Sequence, residues 1–138
     1  MKENFSKGVQ RILKFAKEEA VRLGHSYVGS EHILLGIIKD NNGNGYNILS
    51  SIGCDMAEMK SMIEEMVKPS GGTMTLGHLP LTRRAERILR TTFSEAQNCD
   101  EKIANQIHLL LALVKEDEGL SNEVLSAYTV DYELITTF

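Results

Sequence analysis

The sequence predicts an all-α fold, a tandem duplication of a four-helix unit with about eight helices related by pseudo-twofold symmetry. Three observations carry this reading. Sliding the 138-residue chain against itself by 76 positions aligns residues 5–62 with 81–138 without a gap, and thirteen of the 58 aligned positions are identical. Apolar residues recur at the helical period of 3.6 in both halves. No stretch shows the strict apolar/polar alternation of a half-buried strand.

The identities include Arg11/Arg87, Ile12/Ile88, Leu13/Leu89, Glu19/Glu95, Ala20/Ala96, His32/His108, Leu34/Leu110, Leu35/Leu111, Gly43/Gly119, Leu49/Leu125 and Asp55/Asp131. Self-similarity at one offset over this length is the mark of a repeated structural unit. It divides the chain into a first repeat at about 5–67, a linker at 68–80 and a second repeat at about 81–138. The linker's prolines and glycines break any helix.

Within the first repeat, Ser6 is a natural N-cap, and Val9, Ile12, Leu13, Ala16, Ala20 and Leu23 keep helical period as far as Gly24, a fitting C′ residue. A second helix begins after Ser30, carries Ile33, Leu34, Ile37 and Ile38, and ends at the polar turn 40–43. A short third helix holds Tyr46, Ile48, Leu49 and Ile52 and stops at Gly53. Asp55 caps a fourth, with Met56, Met59, Ile63 and Met66 along one side. At this spacing the methionines are expected in the core, although such a stripe can also form an adaptable binding groove.

Composition narrows the function. With 42% hydrophobic and 25% charged residues the chain is an ordinary globular domain rather than a disordered one. The longest apolar stretches, 33–38 and 107–114, fall far short of the roughly 20 residues a membrane span needs. The N-terminus, MKENFSKG, has no apolar signal core, which predicts a cytoplasmic protein. A net charge of −4 with scattered basic residues argues against nucleic acid as a partner. The one basic cluster, Arg83, Arg84, Arg87 and Arg90, reads as a solvated helix face or as a docking face for an acidic partner. Cys54 and Cys99 lack CxxC spacing and are expected as reduced, partly buried thiols.

No phosphate loop, HExxH, GxSxG or GxGxxG motif is present, so no catalytic residues and no cofactor are assigned. A structural zinc needs several converging ligands, and neither cysteine lies near His25, His32, His78 or His108 at ligand spacing, so no metal is assigned either. His32 and His108, repeated just inside their helices, read as caps or packing residues. Glu31 stands apart, because its counterpart in the second repeat is Ile107. In the first turn of a helix it is favoured by the helix dipole, and it is also able to accept a bidentate pair from a guanidinium in a cleft beside the Ser6 cap.

The stretches FSKGVQRILKFAKEEAVRLGHSYVGSEHILLGII and LTRRAERILRTTFSEAQ, their spacing and the duplicated four-helix plan resemble the N-terminal domain of Clp-type AAA+ chaperone unfoldases, the ClpC branch above all. The most specific part is the pattern G-[ST]-E-H-[IL]-L-L-G, present as Gly29 to Gly36. The resemblance covers essentially the whole chain. It implies a non-enzymatic module, monomeric in isolation, that receives client proteins and adaptor proteins for an ATP-driven unfoldase feeding a ClpP-like peptidase. Phe138 closes the aligned repeat without a tail, which predicts that residues 1–138 are the front of a longer chain.

In ClpC-like members each repeat resembles a receptor for phosphorylated arginine, formed by a first-helix hydroxyl and a second-helix glutamate. Carried over, the resemblance assigns Ser6 and Glu31 to that ligand. The matching second pair is Thr82 and Ile107. An isoleucine cannot accept guanidinium donors, so the second site is expected to be degenerate and not to bind.

Overall fold

The structure, a computed structural model, describes residues 4–67 and 79–137. Eight α-helices make up these residues: α1 (Lys7–Arg22), α2 (Ser30–Lys39), α3 (Asn44–Ile52), α4 (Met56–Met66), α5 (Arg83–Asn98), α6 (Gln106–Lys115), α7 (Leu120–Ala127) and α8 (Tyr132–Thr136). The all-α class and the doubling of a four-helix unit are as the sequence predicts. Of the expected linker at 68–80, only residues 79 and 80 are among those described, and His78 lies outside them.

Each repeat starts its first helix on a side-chain cap. The Ser6 hydroxyl accepts from the Val9 amide at 3.1 Å, and Thr82, its counterpart, accepts from the Ala85 amide at 3.0 Å. Asp55 and Asp131 cap α4 and α8 in the same way. These bonds satisfy amides that a helix otherwise leaves unpaired at its start. The helix ends are duplicated too. Gly24 and Asp100 have φ of 75° and 58°, and Gly53 and Thr129 have φ of 115° and 56°.

Only glycine reaches that left-handed region without a steric cost, and for a β-branched threonine the cost is greatest. Thr129→Gly is therefore expected to stabilise the domain by about 0.5–1 kcal/mol, read from urea unfolding midpoints. Gly53→Ala is expected to cost about 1 kcal/mol through backbone strain alone, since a Cβ there would meet nothing within 4 Å.

The two central helices are apolar around most of their circumference and are buried accordingly. On α2 every residue from His32 to Ile38 is buried, and on α6 every residue from His108 to Leu113. Helix α1 lies along α2 and α5 along α6, while α3 packs on α6 and α7 on α2, so each repeat covers the other's central helix. In α4, Met56, Met59 and Ile63 enter the core, but Met66 is 37% exposed and stands outside it. Val67, the next residue, is buried in its place. Cys54 is buried, and Cys99, half-buried by expectation, is exposed at the end of α5. Burial raises the Cys54 thiol above its ordinary pKa.

Two bidentate ion pairs repeat at the same offset. Arg11 of α1 holds Asp40, at the end of α2, by Nε at 2.9 Å and Nη2 at 3.0 Å, and Arg87 of α5 holds Glu116 by Nε at 3.0 Å and Nη2 at 2.6 Å.

Candidate functional site

The segments leading into the helices cross between repeats. Phe5 bridges to Ala104, and Val28 bridges to Leu81. The Ser6 amide donates to the Ala104 carbonyl at 2.8 Å, and the Thr82 amide to the Val28 carbonyl at 3.0 Å. In return the Ala104 amide donates to Asn4 at 2.7 Å and the Val28 amide to Pro80 at 2.9 Å. Every bond in one set maps onto the other under the offset of 76, which is what a pseudo-twofold axis between the repeats requires.

This crossing corrects the expected pairing of site residues. Glu31 is not in a cleft with the Ser6 cap. It lies with the cap of the other repeat, in a cleft of about 350 Å³ lined by Ser30, Glu31, Thr82, Arg83, Arg84 and Arg87. Ser6 lies against the 104–106 segment, and Ile107 turns toward α3, beside Asn44, Asn47, Ile48 and Ser51. The residue types are those singled out from the sequence, but Glu31 belongs with Thr82 and Ser6 with the approach to α6. The arginine cluster, read as a solvated face or a docking face, supplies three of the cleft's six lining residues.

The first cleft joins two helix starts. Gly29 precedes α2, and its extended backbone carries no side chain to cap the helix. The Glu31 carboxylate folds over it, so that a Cβ at Gly29 would lie 2.3 Å from Glu31 Oε1. A side chain at Gly29 would have to displace the Glu31 carboxylate from this position. Burial, and after it the negative charge of Glu31, raises the pKa of the neighbouring Tyr27 hydroxyl. Among the described residues Glu31 makes no ion pair, although three arginines line the same cleft.

Those arginines differ. Arg87 is tied to Glu116 by two hydrogen bonds. Arg84 faces Glu116 more loosely, with Nε 3.7 Å from the carboxylate, and this Nε is buried without a hydrogen-bond partner. Arg83 is exposed and, among the described residues, forms no ion pair. Thr82 uses an oxygen lone pair to cap α5, which leaves its hydroxyl proton available to an acceptor in the cleft. The cleft thus offers one carboxylate as acceptor, and guanidinium and hydroxyl donors at the start of a 16-residue helix.

The repeated histidines serve the frame. The Gly29 amide donates to His32 Nδ1 at 2.9 Å, and the Asn105 amide to His108 Nδ1 at 2.9 Å, so each histidine reaches back over its own helix start. Because His32 Nδ1 accepts, its Nε2 carries the proton and donates to His25 Nδ1, 2.7 Å away. His32 is fully buried, and that burial, with His25 alongside, pushes its pKa down to about 4. Among the described residues no group of three or more histidine, cysteine or acidic side chains is arranged to hold a metal ion. No described helix is long and apolar enough to cross a membrane.

Known proteins share both the sequence and the fold. The family described as the Clp repeat (R) N-terminal domain matches residues 4–128. The chloroplastic chaperone protein ClpC1 of Arabidopsis thaliana is 34% identical over 137 residues, covering 99% of this chain and 15% of the relative. A ClpA homologue from Guillardia theta, an ATP-binding subunit of an ATP-dependent Clp protease, is 33% identical over 137 residues, covering 99% of this chain and 17% of the relative. The chain therefore spans about a sixth of the length of the curated relatives it matches. Among solved structures, the N-terminal domain of the chaperone ClpD from Arabidopsis thaliana superposes with a TM-score of 0.77 at 20% identity, over 98% of this chain and 91% of that one. With the crossed helix pairs, the doubled four-helix unit and the sequence match all in agreement, the chain belongs to the Clp repeat N-terminal domain family.

Proposed function

We propose that this domain is the client-receiving module of a Clp-type ATP-dependent unfoldase, and that the cleft between Glu31 and Thr82 recognises phosphorylated arginine on client proteins. The observation that carries the reading is a carboxylate that makes no ion pair among the described residues and shares a cleft with three arginines and a helix start. Phosphoarginine has guanidinium donors that a carboxylate accepts in pairs, and phosphate oxygens that hydroxyl, guanidinium and N-terminal amide donors satisfy. Glu31 takes the guanidinium part. Thr82, Arg83 and Arg84 take the phosphate. A bare phosphate or carboxylate would be repelled by Glu31, and an unmodified arginine by the basic wall, so the cleft selects a group carrying both charges. The parent protein would pass such clients to a ClpP-like peptidase.

Calorimetric titration with phosphoarginine is expected to give one site per chain. Glu31→Ala should weaken it about five- to 150-fold, because the guanidinium donors are left unpaired at a cost of about 1–3 kcal/mol. Ile107→Ala should leave it unchanged. Undiminished binding in Glu31→Ala would overturn the assignment. A second reading, a docking module for adaptor proteins alone, is favoured by a groove of about 270 Å³ lined in part by Phe5 and Phe93, and by nearby Ile103, which is 45% exposed. Adaptor capture that survives Glu31→Ala, with no heat on adding phosphoarginine, would select it.

A further inference from the structure

The offset of 76 relates the first cleft to a second place in the molecule, where Ser6 and Gly8 of α1 face the start of α6. There Gln106 stands in the position of Ser30, Gly8 in that of Arg84, Asp40 in that of Glu116 and Gly45 in that of Ser121. The two places have exchanged size. In the first, the long side chain is Arg84 on α5 and the short one is Ser30 on α2. In the second, α1 contributes a glycine and α6 the long glutamine.

Gln106 fills the space this creates. It is 5% exposed. Its Nε2 donates to the Gly8 carbonyl at 3.1 Å and to Asp40 Oδ2 at 2.8 Å, and its Oε1 accepts from the Gly45 amide at 2.8 Å. The surroundings are shaped to it. A Cβ on Gly8 would come within 2.9 Å of Gln106 Nε2, and one on Gly43 within 2.6 Å of Oε1. Both amide protons and the carbonyl of the side chain are used, and Asp40 is held below its ordinary pKa, because the hydrogen bonds from Arg11 and Gln106 outweigh the effect of burial. The first cleft is the opposite case. Arg84 Nε and Ser121 Oγ, at the matching positions, are buried and lack hydrogen-bond partners.

We propose that Gln106 is a built-in occupant of the second cleft: it stands on Asp40 and against Gly43 where Arg84 stands on Glu116 and against Gly119 in the first, so an amide replaces the guanidinium that would meet a phosphate. Gln106, rather than Ile107, then decides that the domain takes one ligand per chain. This valency rests on the reading of the first cleft given above, whereas the occupancy by Gln106 does not.

Both parts are tested with the whole chain. Phosphoarginine stoichiometry is compared in wild type, Ile107→Glu and the triple variant Gly8→Arg/Gln106→Ser/Ile107→Glu, each checked for native helicity. One site is expected in wild type, one in Ile107→Glu and two in the folded triple variant. Two sites in Ile107→Glu, or one in the folded triple variant, would overturn the assignment of valency to Gln106. Independently of any ligand, hydrogen exchange at the Gly45 amide is expected to be about tenfold faster in Gln106→Ser than in wild type, because that amide loses its acceptor. Unchanged Gly45 exchange would overturn the occupancy itself. If no variant binds phosphoarginine while Gly45 exchange accelerates as expected, the ligand assignment falls and the occupancy stands.

Discussion

Replacing Gly36 by leucine should cost the domain about 3 kcal/mol or more, the largest loss expected from any single change considered. Gly36 lies in the middle of α2 where α1 passes closest. A Cβ there would lie 2.6 Å from the Ile12 carbonyl oxygen and 3.1 Å from the Ala16 amide nitrogen, both backbone atoms that no rotamer change removes. Overpacking of a well-filled core commonly costs about 1–3 kcal/mol, and here the first added carbon already collides with rigid helix. The second repeat supplies the control. The matching residue is Ala112, fully buried on α6, so α5 and α6 tolerate the methyl group that α1 and α2 exclude. Ala112→Gly is expected to cost only about 1 kcal/mol, by helix propensity. Urea unfolding of the two variants against wild type checks both figures.

The second large effect is a dependence of stability on pH. The His32 pKa stands at about 4 in the folded chain, against about 6.5 for a histidine in an unfolded one. The unfolded chain therefore takes up the proton first as pH falls. The stability contributed by neutral His32 is complete above about pH 6.5 and is lost progressively down to about pH 4, a fall of about 3 kcal/mol. The cause is burial of the ring first and His25 alongside it second, and a second proton would also fall on Nδ1, which accepts from the Gly29 amide. Asp40 and Glu95, whose pKa values are lowered, lose their contribution only below the ordinary carboxylate range, so the two effects occupy different windows. His32→Gln retains a side chain able to reach back to the Gly29 amide but does not titrate. Its unfolding free energy should be nearly flat between pH 7 and pH 4.5 where wild type declines. Parallel profiles would assign the decline to other groups.

Much of the fold could be read from the sequence because its signals are local. Ser6, Asp55, Gly24 and Gly53 act within one turn of their own helix, and each is found where its chemistry requires. The unbroken apolar runs at 33–38 and 109–113 announced the two buried helices. Met66 misled because i+3 and i+4 both continue a helix face, and from Ile63 it is Val67, at i+4, that takes the buried place. The site was legible in its residue types and not in its pairing. A self-alignment equates Ser6 with Thr82 and Glu31 with Ile107, yet it carries no information on whether a helix start faces its own repeat or the other. That choice is made by backbone hydrogen bonds from Asn4 and Ser6 to Ala104 and from Pro80 and Thr82 to Val28, which have no side-chain signature. Gln106 escaped notice for a related reason. A glutamine beside a histidine looks like an ordinary polar helix start, and its meaning lies in Gly8, 98 residues earlier.

The reciprocal bridges between the repeats have the form of an isologous contact, the kind two identical subunits make when the same patch serves on both sides. In such a pair every substitution is written twice, and a cleft can be opened or closed only together with its twin. Joining the two copies in one chain lifts that restriction. Arginine and serine in one cleft, glycine and glutamine in the other, is an arrangement open to a fused chain and closed to a symmetric dimer of one sequence. The covalent duplication thus lets one cleft become structural support while the other keeps Glu31 and Arg83 free of ion pairs among the described residues.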